Sequence, residues 1–164
     1  PDALQDFCVA DTSSSTIFMN GLPCLNPNQV SAKNFTTSVL SSAGNTSGNP
    51  FGVSLKTTTT QFLPGINTLG LIMARVDLAG LSTLASSTPT NKLFSAEIKT
   101  GDVFVFPRGI IHFVHNIGNT PASVIAALNS QAPGNSVIPL ATFASNPAIP
   151  NQVLAKSFQI NIAE

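Results

Sequence analysis

The chain predicts an all-β domain, on three observations. Short apolar stretches with strand periodicity recur at roughly 8–12-residue spacing, each bounded by Gly, Pro, Asn or Ser. No heptad, internal repeat or long amphipathic helical period runs through the chain. Its 164 residues suit one domain with a full core, and a second domain is not expected. A closed barrel or a sandwich meets these conditions.

The elements follow in order. Residues 1–50 are polar, with scattered Pro, Asn and Ser, and read as an N-terminal arm of short strands and turns. Within it, Ser41 to Pro50, SSAGNTSGNP, has the chemistry of a flexible surface loop. Residues 51–130 form the expected barrel core. In Phe51 to Thr60, Phe51, Val53 and Leu55 alternate with other residues, the pattern of a half-buried strand. In Asn67 to Leu78, NTLGLIMARVDL, Leu69, Leu71 and Met73 alternate with Gly70, Ile72 and Ala74, which predicts a strand buried on both faces. Ala79 to Asn91, AGLSTLASSTPTN, has no period and no charge. Strands resume at Lys92 to Ile98, then at Asp102 to Phe106, at 110–118 and at 122–129. The turns between them are Thr100-Gly101-Asp102, Pro107-Arg108-Gly109 and Gly118-Asn119-Thr120-Pro121. Residues 131–164 form a turn-rich C-terminal extension, with a short helix expected over Gln152 to Ile160.

Seven Lys and Arg balance seven Asp and Glu, and charged residues make up only 9% of the chain. No basic stripe marks a nucleic-acid surface, and no polybasic cluster marks a membrane surface. No apolar run approaches the roughly 20 residues of a membrane helix. A surface this poor in charge relies on Ser, Thr, Asn, sugars or burial in an oligomer. Two sequons support the sugar reading, Asn34-Phe35-Thr36 and Asn45-Thr46-Ser47. The chain starts at Pro1-Asp2 without a Met, as a processed, secreted form would. Cys8 and Cys24 read first as one disulfide, with an expected stabilisation of about 3 kcal/mol. The alternative is a free reactive thiol, which Asp6 and Asp11 oppose near Cys8. Gly-rich phosphate loops, GxSxG and CxxC are absent.

Both histidines lie in Gly101–Asn116, GDVFVFPRGIIHFVHN. Gly101 suits the entry turn, and Pro107 and Gly109 make a tight reversal into the next strand. Alternation along that strand predicts His112, Val114 and Asn116 on one face and Phe113 and His115 on the other. The two histidines should then not share a metal. Phe104, Phe106 and Phe113 are expected as barrel packing, and Arg108 as a surface or subunit contact.

This spacing resembles the second conserved box of the cupins. The words around it resemble the germin-like proteins of plants. PDALQDFCVAD, KNFTTSVL, AGNTS, NTLGLIMARVD, KLFSAEIKTGDVFVFPRGIIHF and VLAKSF stand in the family's order. The resemblance implies a cupin jelly-roll β-barrel with a short C-terminal helical segment. It implies secretion to the cell wall or vacuole, a disulfide, N-linked glycans at Asn34 and Asn45, and a homohexamer built as a trimer of dimers. It also implies manganese on three histidines and a glutamate, of which His112 is the one supplied by the second box. Manganese accepts such mixed imidazole and carboxylate ligands.

The first box, which brings His-x-His and Glu, should follow Ala74-Arg75-Val76-Asp77. The chain instead reads LAGLSTLASSTPTN and rejoins the pattern at Lys92. No histidine precedes residue 112, and no carboxylate lies between Asp77 and Glu97. The shortfall is roughly twenty residues, about two strands and a turn. The tail is also expected to be shorter than the family's. Two readings stay open: a barrel that has lost its first box, or a box missing from this sequence.

Three functions follow. The first is a defence, storage or structural glycoprotein with no bound cofactor, His112 being a buried, hydrogen-bonded histidine. The second is a manganese oxidoreductase, if the first box exists. There Asn116 would support the ligand sphere. The third is a cysteine-type peptidase pairing Cys8 or Cys24 with His112 or His115, oriented by Asn116 or Asp102.

Overall fold

The computed structural model describes residues 7–16, 18, 20–79, 82–87 and 92–161, with the backbone alone for 82–87. Asp6 and the start at Pro1-Asp2 lie outside these residues. The chain divides into two compact units, Pro1–Ala132 and Pro133–Glu164.

The first unit carries two antiparallel sheets. In one, β2 (Ile72–Leu78) lies between β1 (Val53–Thr57) and β6 (Ala122–Leu128). In the other, β3 (Ser82–Ser87) lies between β4 (Leu93–Ala96) and β5 (His112–His115). The register of the first sheet sets Leu55, Val76 and Val124 side by side, and likewise Lys56, Arg75 and Ile125. One face therefore collects Ile72, Ala74, Val76 and Leu78. Ile72, Ala74 and Leu78 are buried, Ile72 completely. Thr58 extends the β1–β2 ladder by one residue: its amide donates to Met73 O at 2.9 Å, and its Oγ1 accepts from Met73 N at 2.9 Å.

The arm closes onto this sheet. Val9 and Ala10 are buried. Ala10 N donates to Pro64 O, Asp11 N to Pro23 O and Leu25 N to Val9 O, all within 2.9 Å. Cys8 and Cys24 form a disulfide with a Cα–Cα distance of 4.9 Å.

Four expectations differ from the structure. Asn67 to Leu78 is not buried on both faces: Leu69, Leu71 and Met73 are exposed, and strand pairing begins only at Ile72. Ser41 to Pro50 is not a free loop. Lys56 Nζ donates to Ser42 O at 2.8 Å, Gly44 N donates to Asp77, and a 3-10 turn spans Thr46–Gly48. Ala79 to Asn91 contains β3, the central strand of its sheet. Asp102 to Phe106 forms no strand with the described residues. Phe104 and Phe106 are half-buried, whereas Val103 and Val105 are 86% and 74% exposed. The alternation is therefore present without a neighbouring strand among the described residues.

The second unit contains α1 (Ile138–Phe143) and α2 (Asn151–Phe158). The expected C-terminal helix is α2, and α1 had no sequence counterpart. Pro139 sits in the first turn of α1, where its missing N–H costs nothing. Phe143 and Phe158 meet with ring centroids 5.2 Å apart. No described helix is long and apolar enough to cross a membrane.

Candidate functional site

The histidine segment was expected to form an inward-facing ligand strand. Pro107 and Gly109, the latter at φ 77°, do make the reversal, and β5 follows at His112. Exposure along β5 does not alternate. His112 and Phe113 are both exposed, and Val114 and His115 are half-buried. β5 is only four residues long and lies at the edge of its sheet, where a register shift in β3 disturbs the pairing between Ser82 and Ala85. A bulge of this kind re-aims side chains.

The His112 ring stacks on Phe106, with centroids 4.2 Å apart and planes 27° apart. Its Nδ1 lies 2.9 Å from Ile110 O, which fixes the proton on Nδ1 in the neutral ring. His112 is thus hydrogen-bonded as expected, but it is not buried. Asn116 holds a turn: its Nδ2 donates to Thr120 O at 2.7 Å and its Oδ1 accepts from Gly118 N at 3.0 Å. Asp102 also serves a turn, accepting from Lys99 N at 2.7 Å. Arg108 donates to Asn129 O at 3.3 Å. Among the described residues, no three His, Cys, Asp or Glu side chains come together in a group able to hold a metal.

Cys8 and Cys24, weighed as nucleophiles, are bonded to each other. A disulfide offers no thiolate, so the expected Cys–His pairing has no nucleophile in this state. Of the two sequons, Asn34 is half-buried, its Oδ1 accepting from Ser31 N at 2.8 Å. Asn45 is exposed, its Oδ1 accepting from Ser47 N at 3.0 Å.

Two polar centres that the sequence reading did not single out are better built than the histidine strand. The first surrounds Asp77, only 3% exposed. Its carboxylate accepts from Arg75 Nε at 2.8 Å, Gly44 N at 2.7 Å and Ser123 Oγ at 2.5 Å. Burial raises its pKa. The hydrogen bonds from Ser123, Gly44 and Arg75, with the Arg75 charge, outweigh burial and hold it below the ordinary value near 3.8. Arg75 Nη1 also donates to Leu40 O at 3.1 Å, so the pair ties the 40–44 loop to the sheet. Opposite charges two residues apart on one strand face were the available signal.

The second centre is Asn67, fully buried. Its Oδ1 accepts from Leu22 N at 3.1 Å and its Nδ2 donates to Leu22 O at 2.9 Å. A Cβ on Gly21 would come within 2.5 Å of Asn67 Oδ1, so this close approach requires the glycine.

The comparisons with known proteins place this architecture. The cupin family model matches residues 80–164. A recombinant oxalate oxidase in complex with glycolate superposes with a TM-score of 0.90 at 34% identity, covering 99% of this chain and 92% of that one. The protein is therefore a cupin, with the jelly-roll fold. Germin-like protein 1-3 of Oryza sativa subsp. japonica is 41% identical over 184 positions, which cover 98% of this chain and 82% of the relative. The chain belongs to the germin-like proteins of plants. Peruvianin-I, a cysteine peptidase from Thevetia peruviana latex, superposes with a TM-score of 0.71 at 34% identity, covering 82% of this chain and 94% of that one. The 184 aligned positions exceed the 164 residues of this chain, so at least 20 positions of the rice relative face a gap here.

Proposed function

We propose that this protein is a secreted, oligomeric germin-like glycoprotein with a defence, storage or structural role, and that it does not carry out manganese oxidase or dismutase chemistry. The donor set is the observation that carries this reading. Manganese in the family's manner needs three imidazoles and a carboxylate, and the chain has two histidines in all. One of them, His112, lies exposed on an edge strand with Nδ1 committed to a backbone carbonyl. The residues present do not fit the metal. The low charge and the exposed sequon at Asn45 support a glycosylated, extracellular protein. The exposed apolar residues Val103, Val105 and Ile111 support burial in an assembly, for which the homohexamer is the expected form.

Peptide mapping across residues 75–92 and metal content of the natural protein test this together. A peptide that carries Val76 to Lys92 uninterrupted, with manganese far below one ion per chain, is the expected result. An insertion of about two strands between Asp77 and Lys92, with stoichiometric manganese, would overturn it and establish the oxidoreductase reading.

A peptidase reading draws on the likeness to Peruvianin-I. It requires a free thiol, and the disulfide opposes that. Two free thiols by titration in the natural protein, with peptidase activity that alkylation abolishes, would restore it.

A further inference from the structure

We propose that Cys8–Cys24 is a directional thiol–disulfide exchange site for small thiols, attacked at Cys24 and releasing Cys8. The two cysteines differ in surroundings. Cys24 is exposed and lines an open cavity of about 520 Å³ with Phe7, Val9, Leu25, Asn26 and Pro27. Cys8 is half-buried and does not line that cavity. An incoming thiolate therefore reaches Cys24 before Cys8, and the cavity leaves room for the group behind it.

Cys8 is set up to leave. Asn67 Nδ2 lies 3.4 Å from Cys8 Sγ and donates to it. The orientation of this amide is not arbitrary, because Leu22 N must face Oδ1 and Leu22 O must face Nδ2. A donor held on the leaving sulfur stabilises the departing thiolate, and a better leaving group departs faster. Asn67 is thus a positioning residue for Cys8.

The step balances. A thiolate RS⁻ attacks Cys24 Sγ, the S–S bond breaks, and its electron pair goes to Cys8 as thiolate. The product is the mixed disulfide RS–S–Cys24. A second thiol of the same reductant, as in a dithiol, then displaces Cys24. The dithiol is oxidised to a disulfide and both cysteines are reduced.

The arm does not depend on the S–S bond alone. Buried Val9 and Ala10, and the hydrogen bonds from Ala10, Asp11 and Leu25, hold it on either side of the pair. Reduction leaves two thiols on an arm that stays docked.

The folded, oxidised protein is incubated with glutathione, quenched with a fast alkylating agent and mapped by peptide mass. The expected result is glutathione on Cys24 and alkyl on Cys8, in about tenfold excess over the reverse. Asn67→Asp, which sets an anion beside the leaving sulfur, should slow reduction about tenfold. If that variant does not fold, the mapping of the wild type decides alone. Glutathione shared equally, glutathione on Cys8, or no adduct until the chain is unfolded in urea would each overturn the proposal.

Discussion

Asp77→Ala should destabilise the first unit strongly, because the carboxylate is the acceptor for three separate parts of the chain. Its removal strands Gly44 N, Ser123 Oγ and Arg75 Nε. Hydrogen bonds to a charged group contribute about 1.5–3 kcal/mol each, so simple addition overshoots. Arg75 keeps Leu40 O at 3.1 Å and Ser123 Oγ at 3.0 Å, and it retains some exposure to water. Breaking a buried pair by removing one partner costs about 3–5 kcal/mol, and that range is the expectation. Urea unfolding followed by circular dichroism measures it, with a lower midpoint and an unchanged slope. Hydrogen exchange should also show that Gly44 N has lost protection. A loss under about 1 kcal/mol would refute the reasoning, since the carboxylate would then be no better than a surface ion.

The same residue sets a pH dependence. The folded pKa of Asp77 is depressed, so its stabilisation is fully present above the unfolded value near 3.8. It is lost as pH falls through the folded value. Wild-type stability should therefore drop below about pH 4, and the Asp77→Ala variant should show a shallower drop over that window. An equal slope in both would assign the acid sensitivity elsewhere.

Ile72→Ala, at a completely buried position, should cost about 2–5 kcal/mol, read in the same urea titration. Val105→Thr, at 74% exposure, should stay within about 0.5 kcal/mol if the chain remains monomeric. A larger loss there, tracking protein concentration, would show that the open edge is covered by another subunit. Asn45→Gln should remove a glycan's mass from the protein expressed in a plant host, by mass spectrometry before and after deglycosylation.

Much of the fold was legible because strand periodicity and turn chemistry agree locally. β1, β2, β4, β5 and β6 fall inside the stretches that pattern alone marks out, and α2 overlaps its expected range from Gln152 to Phe158. The exceptions have a common cause. β3 carries Ser, Thr and Ala with no alternation, and its place comes from backbone pairing with β4 on one side and β5 on the other. Asp102 to Phe106 has the alternation and no strand partner among the described residues. Strand propensity describes a fit to a pleated, half-buried surface, and whether that surface exists is decided by distant chain.

The same distinction governs the site. Motif spacing placed His112 in a strand over 110–118 after a Pro-Gly reversal, whereas the strand that forms is shorter, His112–His115, and its exposure does not alternate. A motif fixes the local path of the backbone, whereas which side of the strand is the inside depends on what packs there. Here the strand is four residues long, one neighbour is bulged, and the segment before it has no strand partner among the described residues. Asp77 shows the converse. It lies in a word shared with the family, and its role is visible only when Gly44 and Ser123, 33 and 46 residues away, are brought to it. The network that ties the 40–44 loop to the sheet and the histidine strand are thus separate structures. The two depend on different parts of the chain, so the first is no guide to the second.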